Sequence, residues 1–332
     1  MAIVTVIGAT TWGNTIGKLL VKKGIPVNIW ARTEARAREL NEEQENLAAN
    51  NDLIKYLSFT NDIDAALKSS EFVIMGIPAQ SLRQTARTIN DHITSNMVLV
   101  SLSKGLEAET GKRMSEIIPE EITSTSSEKI CILSGPNLSQ EIKQGLPATT
   151  ILASRNDDIA QRARDLFHSP NFAVFTSNDV VGTELCGALK NVIALGAGMV
   201  DGLQLGENAK ATLITMGWNE VTSLGISLGA QLSTFYGLAG LGDLITTCAG
   251  NLSRNHYVGF EVATGLPLEE VKTSMINIAE GIDTTLAVNR LADKLGQKMP
   301  IINIIYKVLF GELPPSEISE SFKQGLNPQA NI

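Results

Sequence analysis

The sequence predicts an α/β amino-terminal domain built on a mostly parallel sheet, followed by an all-α carboxy-terminal domain. Three observations carry this prediction. Short, continuously apolar runs alternate with helix-like segments through the first half; that rhythm stops after Thr176; and from Asn171 to Leu266 the chain contains no proline and is rich in Leu, Ala, Gly and Ile. Continuous apolar strands separated by helices indicate a parallel sheet covered on both faces. At 332 residues, 43% hydrophobic and 19% charged, the chain is long enough for two domains with cores of their own. The division falls after residue 178, giving domains 1–178 and 179–332, because Asn178 or Asp179 can cap the first long helix.

The predicted strands are IVTVIG (3–8), VNIWA (27–31), FVIMGI (72–77), MVLVSL (97–102), KICILS (129–134), TTILAS (149–154) and FAVFT (172–176). Between them lie helix-like segments Thr15 to Lys23, Glu34 to Gln44, Ile63 to Lys68, Ser81 to Asn90 and Ala160 to Phe167. ITSTSSEK (122–129) reads as a solvated loop and GLNPQANI (325–332) as a frayed tail.

Composition excludes several classes of function. A net charge of −8 and a pI near 5.1 leave no broad positive field for nucleic acid or an anionic membrane, so an anionic ligand must be held by local cations. Cys131, Cys186 and Cys248 are odd in number and widely spaced, which fits neither a disulfide framework nor a metal site. The chain opens directly on a strand-like run, and no apolar run reads as a membrane span, so the expected setting is cytoplasmic. The expected partner is a small molecule, with oligomeric state left open, a homodimer included.

The run VIGATTWG (6–13) follows the first strand and opens a helical pattern, where a dinucleotide turn reads G-x-G-x-x-G. Gly8 and Gly13 stand in register, and Thr10 replaces the middle glycine. The context is therefore Rossmann-like. The helix N-terminus offers free N–H groups to a phosphate, and the hydroxyls of Thr10 and Thr11 are further candidate donors; a plain tight turn is the alternative. After the second strand the sequence has Ala31, Arg32 and Thr33 in place of the acidic residue that binds the ribose of NAD. Arg32 suits the 2′-phosphate of NADP, and Glu34 keeps NAD open.

Ligands of open parallel sheets sit beyond the carboxyl ends of the strands. There the sequence places Gly76-Ile77-Pro78, Ser103-Lys104-Gly105 and Gly135-Pro136-Asn137. Lys104 is the one cation among them, either an anion contact or a solvated loop lysine, and Asn137 is expected to be a helix N-cap. In ELCGALKNVIALGAGMVDGL (184–203), helical spacing from Thr183 aligns Gly187, Lys190, Asn191, Ala194, Gly198 and Asp201 in a stripe of small and polar side chains. Lys190 lies mid-helix, where burial would tune it for proton transfer; a buried ion pair with Glu184 or Asp201, or a snorkelling surface position, are the alternatives. In GLAGLGDLITTCAGNLSRNH (237–256), glycines bracket Asp243 and lead to Ser253, Arg254 and Asn255, donors suited to phosphate oxygens or to a turn and helix cap. Asp243 either orients Lys190, accepts a substrate hydroxyl or caps a helix.

Taken together, SKGLE (103–107), SGPNLSQEI (134–142), the helix from Glu184 through Thr215, GLAGLGDLITTC (237–248), LSRN (252–255) and AEGIDT (279–284) closely resemble the bacterial-type NAD(P)-dependent glycerol-3-phosphate dehydrogenase family, in family order over nearly the whole chain. The resemblance implies a cytoplasmic oxidoreductase interconverting dihydroxyacetone phosphate and sn-glycerol 3-phosphate for glycerophospholipid biosynthesis with NAD or NADP, of which Arg32 favours NADP. It makes Lys190 the proton-transferring lysine. It assigns substrate contacts to Lys104, Gly135, Asn137, Lys190, Asp243, Ser253, Arg254 and Asn255. Cofactor contacts fall to the turn of Gly8, Thr10, Thr11, Trp12 and Gly13, and to Arg32, Lys104, Ser139, Arg254, Ile278 and Glu280. The sequence departs from the family where Thr10 replaces a glycine, where Asn137 stands for serine or threonine, and where Leu138-Ser139 replaces Phe-Ala. The rival readings are a β-hydroxyacid or ketoacid reductase of the same layout and a non-catalytic NADP(H) sensor.

Overall fold

The computed structural model describes residues 4–48, 56–249, 253–275 and 279–320. The chain forms two compact units, one of Met1–Lys104 with Lys112–Glu184, the other of Gly105–Gly111 with Leu185–Ile332.

The first unit is built on eight strands: β1 (Val4–Ile7), β2 (Val27–Trp30), β3 (Leu57–Thr60), β4 (Phe72–Met75), β5 (Val98–Ser101), β6 (Ile130–Ser134), β7 (Ala148–Ser154) and β8 (Phe172–Ser177). Their order is β3-β2-β1-β4-β5-β6-β7-β8, and every neighbouring pair is parallel except β6 with β7. Strand order reverses between β1 and β4, so the loops leaving these two strands open the crevice where open α/β sheets bind ligands. Helices α1 (Thr11–Lys22), α2 (Glu34–Ala48), α3 (Ile63–Leu67), α4 (Ala79–Ile89), α5 (Met114–Glu121), α6 (Ser139–Gln144) and α7 (Asp157–Phe167) connect the strands.

Apolar residues run continuously along the strands because both faces are covered. In β4, Phe72 and Ile74 join a core with Ile16 and Leu20 of α1 and Phe167 of α7. Val73 and Met75 point the other way, into a core with Leu82 and Ala86 of α4 and Ile117 of α5. All seven predicted strands are present. The unpredicted β3 is an edge strand with two inward apolar residues, Leu57 and Phe59, too short a signal for periodicity. Helix α5, which carries Pro119 in its interior, is not among the predicted helices, whereas α6, expected only through its cap at Asn137, is present over six residues.

The opposite edge, β8, is closed by α7 and the turn that follows. The backbone N–H of Val174 donates to His168 Nδ1 at 3.2 Å, Arg164 Nε donates to the Val174 carbonyl at 3.2 Å, and Phe172 exchanges two backbone bonds with Ser169. Occupying these groups removes a template for strand addition.

Helix α8 (Val180–Gly202) opens on Asp179, whose Oδ1 accepts from the N–H of Gly182 at 2.8 Å. By length and composition α8 could cross a membrane, contrary to the sequence reading, yet 94% of its most apolar window is buried within the protein, as in a core helix. The second unit continues with α9 (Glu207–Ser227), α10 (Leu232–Tyr236), a π-helical turn at Leu238–Gly242, α11 (Asp243–Ala249), α12 (Arg254–Ala263), α13 (Leu268–Ser274), α14 (Gly281–Leu295) and α15 (Pro300–Leu309). No strand occurs among its described residues, as the proline-free, aperiodic sequence predicts.

Close approach of α8 and α12 explains part of the small-residue stripe. A Cβ on Gly198 would lie 2.0 Å from the carbonyl oxygen of His256, and one on Gly259 would lie 1.9 Å from that of Leu195. Backbone meets backbone at both places, so neither position accepts a side chain without separating the helices.

Helix α15 depends on a borrowed cap. Met299 offers no side-chain cap, and the N–H groups of Ile301 and Ile302 instead donate to Glu220 of α9 at 2.8 and 3.1 Å. Burial pushes the Glu220 carboxyl up from 4.5 to about 7, against the pull of these two donors. A carboxyl raised in the fold contributes stability that is full below its unfolded pKa and is lost as pH rises through the folded value. The protein is therefore expected to lose about 3 kcal/mol of stability from this group between pH 4.5 and pH 7 or above. Urea melts of wild type and Glu220→Gln across that range check it: the glutamine variant should lack this portion of the slope.

Candidate active site

The turn after β1 is built for close approach. Gly8 has φ +110°, and a Cβ there would sit 2.5 Å from Ile77 Cγ2; one on Gly13 would sit 2.3 Å from the Gly8 carbonyl oxygen. Thr10 needs no glycine conformation, with φ −82°, and is the N-cap of α1. Its Oγ1 accepts from the N–H of Gly13 at 3.0 Å and donates to the Gly76 carbonyl at 2.6 Å, joining the loops that leave β1 and β4. The hydroxyl proton is thus committed to Gly76, which corrects the expectation that Thr10 donates to a ligand. Thr11 is exposed and Trp12 packs partly against the core; among the described residues their backbone N–H groups have no hydrogen-bond partner. Two glycines that let the turn pack tightly, and two open donors at a helix N-terminus, fit a dinucleotide pyrophosphate. Arg32 is exposed just past β2. The carboxylate of Glu34 is turned along α2 to Arg38, at 2.8 Å.

Beyond β5 and β6, Lys104 Nζ donates to the Gly135 carbonyl at 2.8 Å, fixing the one cation of these loops beside the Gly-Pro-Asn turn. Asn137 does not cap α6. Leu138 occupies the cap position without a side-chain bond, because the Asn137 amide instead reaches across the sheet and donates to Thr150 Oγ1 at 2.8 Å. That leaves Asn137 Oδ1 buried, with no partner among the described residues. Ser139 is the half-buried first residue of α6.

In the second unit Lys190 is buried, its side chain 8% exposed, against Asp243 at 2%. Lys190 Nζ donates to Asp243 Oδ1 at 2.5 Å and to Thr247 Oγ1 at 2.5 Å. Thr247 in turn donates to the Asp243 carbonyl at 2.6 Å, four residues back along α11. An ammonium has three donors, and two are committed here, so the third is fixed in direction. The alternative partners are engaged elsewhere: Glu184 pairs with Arg113, and Asp201 with Lys210 and His256. The lysine neither snorkels nor pairs along its own helix.

Ser253 caps α12, accepting from the N–H of His256 at 3.2 Å, so it holds the turn that presents Arg254 and Asn255. Arg254 is exposed at the first position of α12, near the carboxylate of Glu280, the residue that opens α14. Asn255 is buried; its amide donates to Asn191 Oδ1 at 2.9 Å and its carbonyl accepts from the N–H of Gly281 at 2.9 Å. One asparagine therefore ties α8, α12 and α14 together. Ile278 lies outside the described residues.

Family models described as the amino- and carboxy-terminal parts of NAD-dependent glycerol-3-phosphate dehydrogenase match residues 3–160 and 179–320. The chain belongs to this dehydrogenase family. A relative from Dehalococcoides mccartyi named glycerol-3-phosphate dehydrogenase (NAD(P)+) is 46% identical over 320 residues, covering 96% of this chain and 89% of its own length. One of the same name from Chlorobium phaeobacteroides is 38% identical over 95% of each chain. The crystal structure of glycerol-3-phosphate dehydrogenase from Coxiella burnetii superimposes with a TM-score of 0.90 at 29% identity, covering 97% of this chain and 99% of that one. A member of the glycerol-3-phosphate dehydrogenase family is an oxidoreductase that acts on a CH–OH group with NAD or NADP. The sequence reading omits two contributors from its site: Thr247, recoverable from its i,i+4 spacing to Asp243, and Asn191, present in the stripe on α8 but without an assigned role.

Proposed function

We propose that the chain reduces dihydroxyacetone phosphate to sn-glycerol 3-phosphate, and catalyses the reverse, with Lys190 as the proton-transferring group. The observation that carries the reading is the buried ammonium of Lys190, aimed by Asp243 and Thr247. The bound NAD(P)H supplies the hydride. As negative charge builds on the substrate oxygen, the uncommitted N–H of Lys190 stabilises it and delivers the proton. Asp243 and Thr247, each accepting one of its N–H groups, fix the direction of the third. Arg254, with the first N–H groups of α12, supplies the local positive site that a phosphate needs on a protein of net charge −8. The orphan Oδ1 of Asn137 is an acceptor for a substrate hydroxyl, a role open to the serine or threonine common in the family.

In the first unit, the Gly8–Gly13 turn receives the pyrophosphate and Arg32 the 2′-phosphate, which favours NADP. The deciding assay follows loss of NADPH or NADH absorbance with dihydroxyacetone phosphate or a 2-ketoacid. Turnover of the phosphorylated ketone is expected, with higher kcat/KM for NADPH. Faster turnover of the ketoacid would point to the reductase reading, and cofactor binding with no turnover on either substrate to the sensor reading.

A further inference from the structure

We propose that His256 is a positioning residue for the phosphate site: through Asp201 it fixes the first turn of α12 and so aims Arg254 and the open N–H groups of that turn. The inference rests on the reading that Arg254 and the first N–H groups of α12 meet the substrate phosphate. His256 is the third residue of α12 and is held three ways. Its N–H donates to Ser253 Oγ at 3.2 Å, its carbonyl oxygen lies against the bare Cα of Gly198, and its Nε2 meets Asp201 Oδ2 at 2.7 Å. The same carboxylate oxygen takes Lys210 Nζ of α9 at 2.7 Å. Asp201 thus binds the end of α8 to both α9 and α12, with all three side chains at most a quarter exposed.

A close apolar contact would hold two helices together, but it would not fix the rotation of α12 about its axis. A hydrogen bond from the third residue does, because a directional contact two residues from Arg254, within the same first turn, determines where the guanidinium and the open N–H groups point. Shared occupancy of Asp201 also predicts what is lost without the imidazole. Lys210 still neutralises the carboxylate, so the helices stay packed and the charge stays paired. What slackens is the aim of the turn.

The test uses the full-length enzyme with dihydroxyacetone phosphate and NADPH. His256→Ala is expected to raise KM for dihydroxyacetone phosphate by about 10- to 100-fold, with kcat changed by no more than about twofold. Inorganic phosphate, as a competitive inhibitor, should weaken by the same factor. His256→Gln, whose amide can reach Asp201, should recover most of both losses, and Asp201→Asn should reproduce a part of them in a variant with its packing intact. An unchanged KM and phosphate inhibition in both His256→Ala and Asp201→Asn overturns the proposal. So does His256→Gln behaving like the alanine variant. Arg254→Ala is the separate control: if it leaves KM for dihydroxyacetone phosphate and phosphate inhibition unchanged, the underlying assignment of the phosphate site fails, whatever His256 does.

Discussion

Lys190→Ala is expected to lower kcat for dihydroxyacetone phosphate by at least about 10²- to 10⁴-fold while cofactor binding, followed by NADPH fluorescence, stays near that of the wild type. The expectation follows from what the ammonium does twice: it stabilises charge on the substrate oxygen and it is the proton source. Removing it also strands Asp243, 2% exposed, with Thr247 and the surrounding backbone. Stranding one partner of a buried pair costs about 3–5 kcal/mol, so loss of turnover in the single variant could be blamed on unfolding. The double variant Lys190→Met with Asp243→Leu separates the two effects. Removing both charges should restore most of the stability, since apolar replacement of a buried pair is often neutral, and should restore none of the turnover. Near-normal kcat in either variant would remove Lys190 from its assigned role.

How far the sequence carries is uneven, and the unevenness has physical causes. The continuous apolar strands were legible because burial on both faces leaves a composition signal independent of register, as in FVIM at 72–75. β3 was not, since an edge strand with one covered face needs few apolar residues. The sequence names Lys190 and offers Asp243 as the group that orients it, beside Glu184 or Asp201 as alternative partners; only the structure decides among them, because the pairing spans 53 positions. Local periodicity reports neighbours on one helix; the real partner comes from α11. Asn137 fails as a cap for a similar reason. Its neighbours in the chain suggest a local bond, and the bond it makes runs from the loop after β6 to Thr150 of β7. Thr10 stands where the fingerprint has a glycine, and its φ of −82° needs no glycine conformation, so the replacement adds a side chain without straining the backbone. Its side chain substitutes a hydrogen bond between two loops for the space a glycine would leave.

Arg113→Met is expected to destabilise the first unit by about 3–5 kcal/mol at neutral pH. Arg113 stands at the N-cap of α5, and its Nη1 donates to Glu184 Oε2 at 2.9 Å; the N–H of Ser115 donates to Glu184 Oε1 at 2.8 Å. The Glu184 side chain is 5% exposed. Burial already pushes its carboxyl above the usual range, despite the opposing pull of Arg113 and the two donors from Ser115. Without the guanidinium, the charge loses its largest compensating partner while its burial is unchanged. The deficit therefore depends on pH. A carboxyl raised in the fold stabilises below its unfolded pKa and loses that contribution as pH rises through the folded value, so the variant should approach wild type in mild acid and fall furthest behind in alkali. Urea titrations at several pH values read this directly, with unchanged slope m marking a loss of stability rather than of compactness. The variant Arg113→Met with Glu184→Leu completes the cycle. If it remains as unstable as Arg113→Met alone, the loss arose from the packing of the arginine stem and not from a stranded carboxylate.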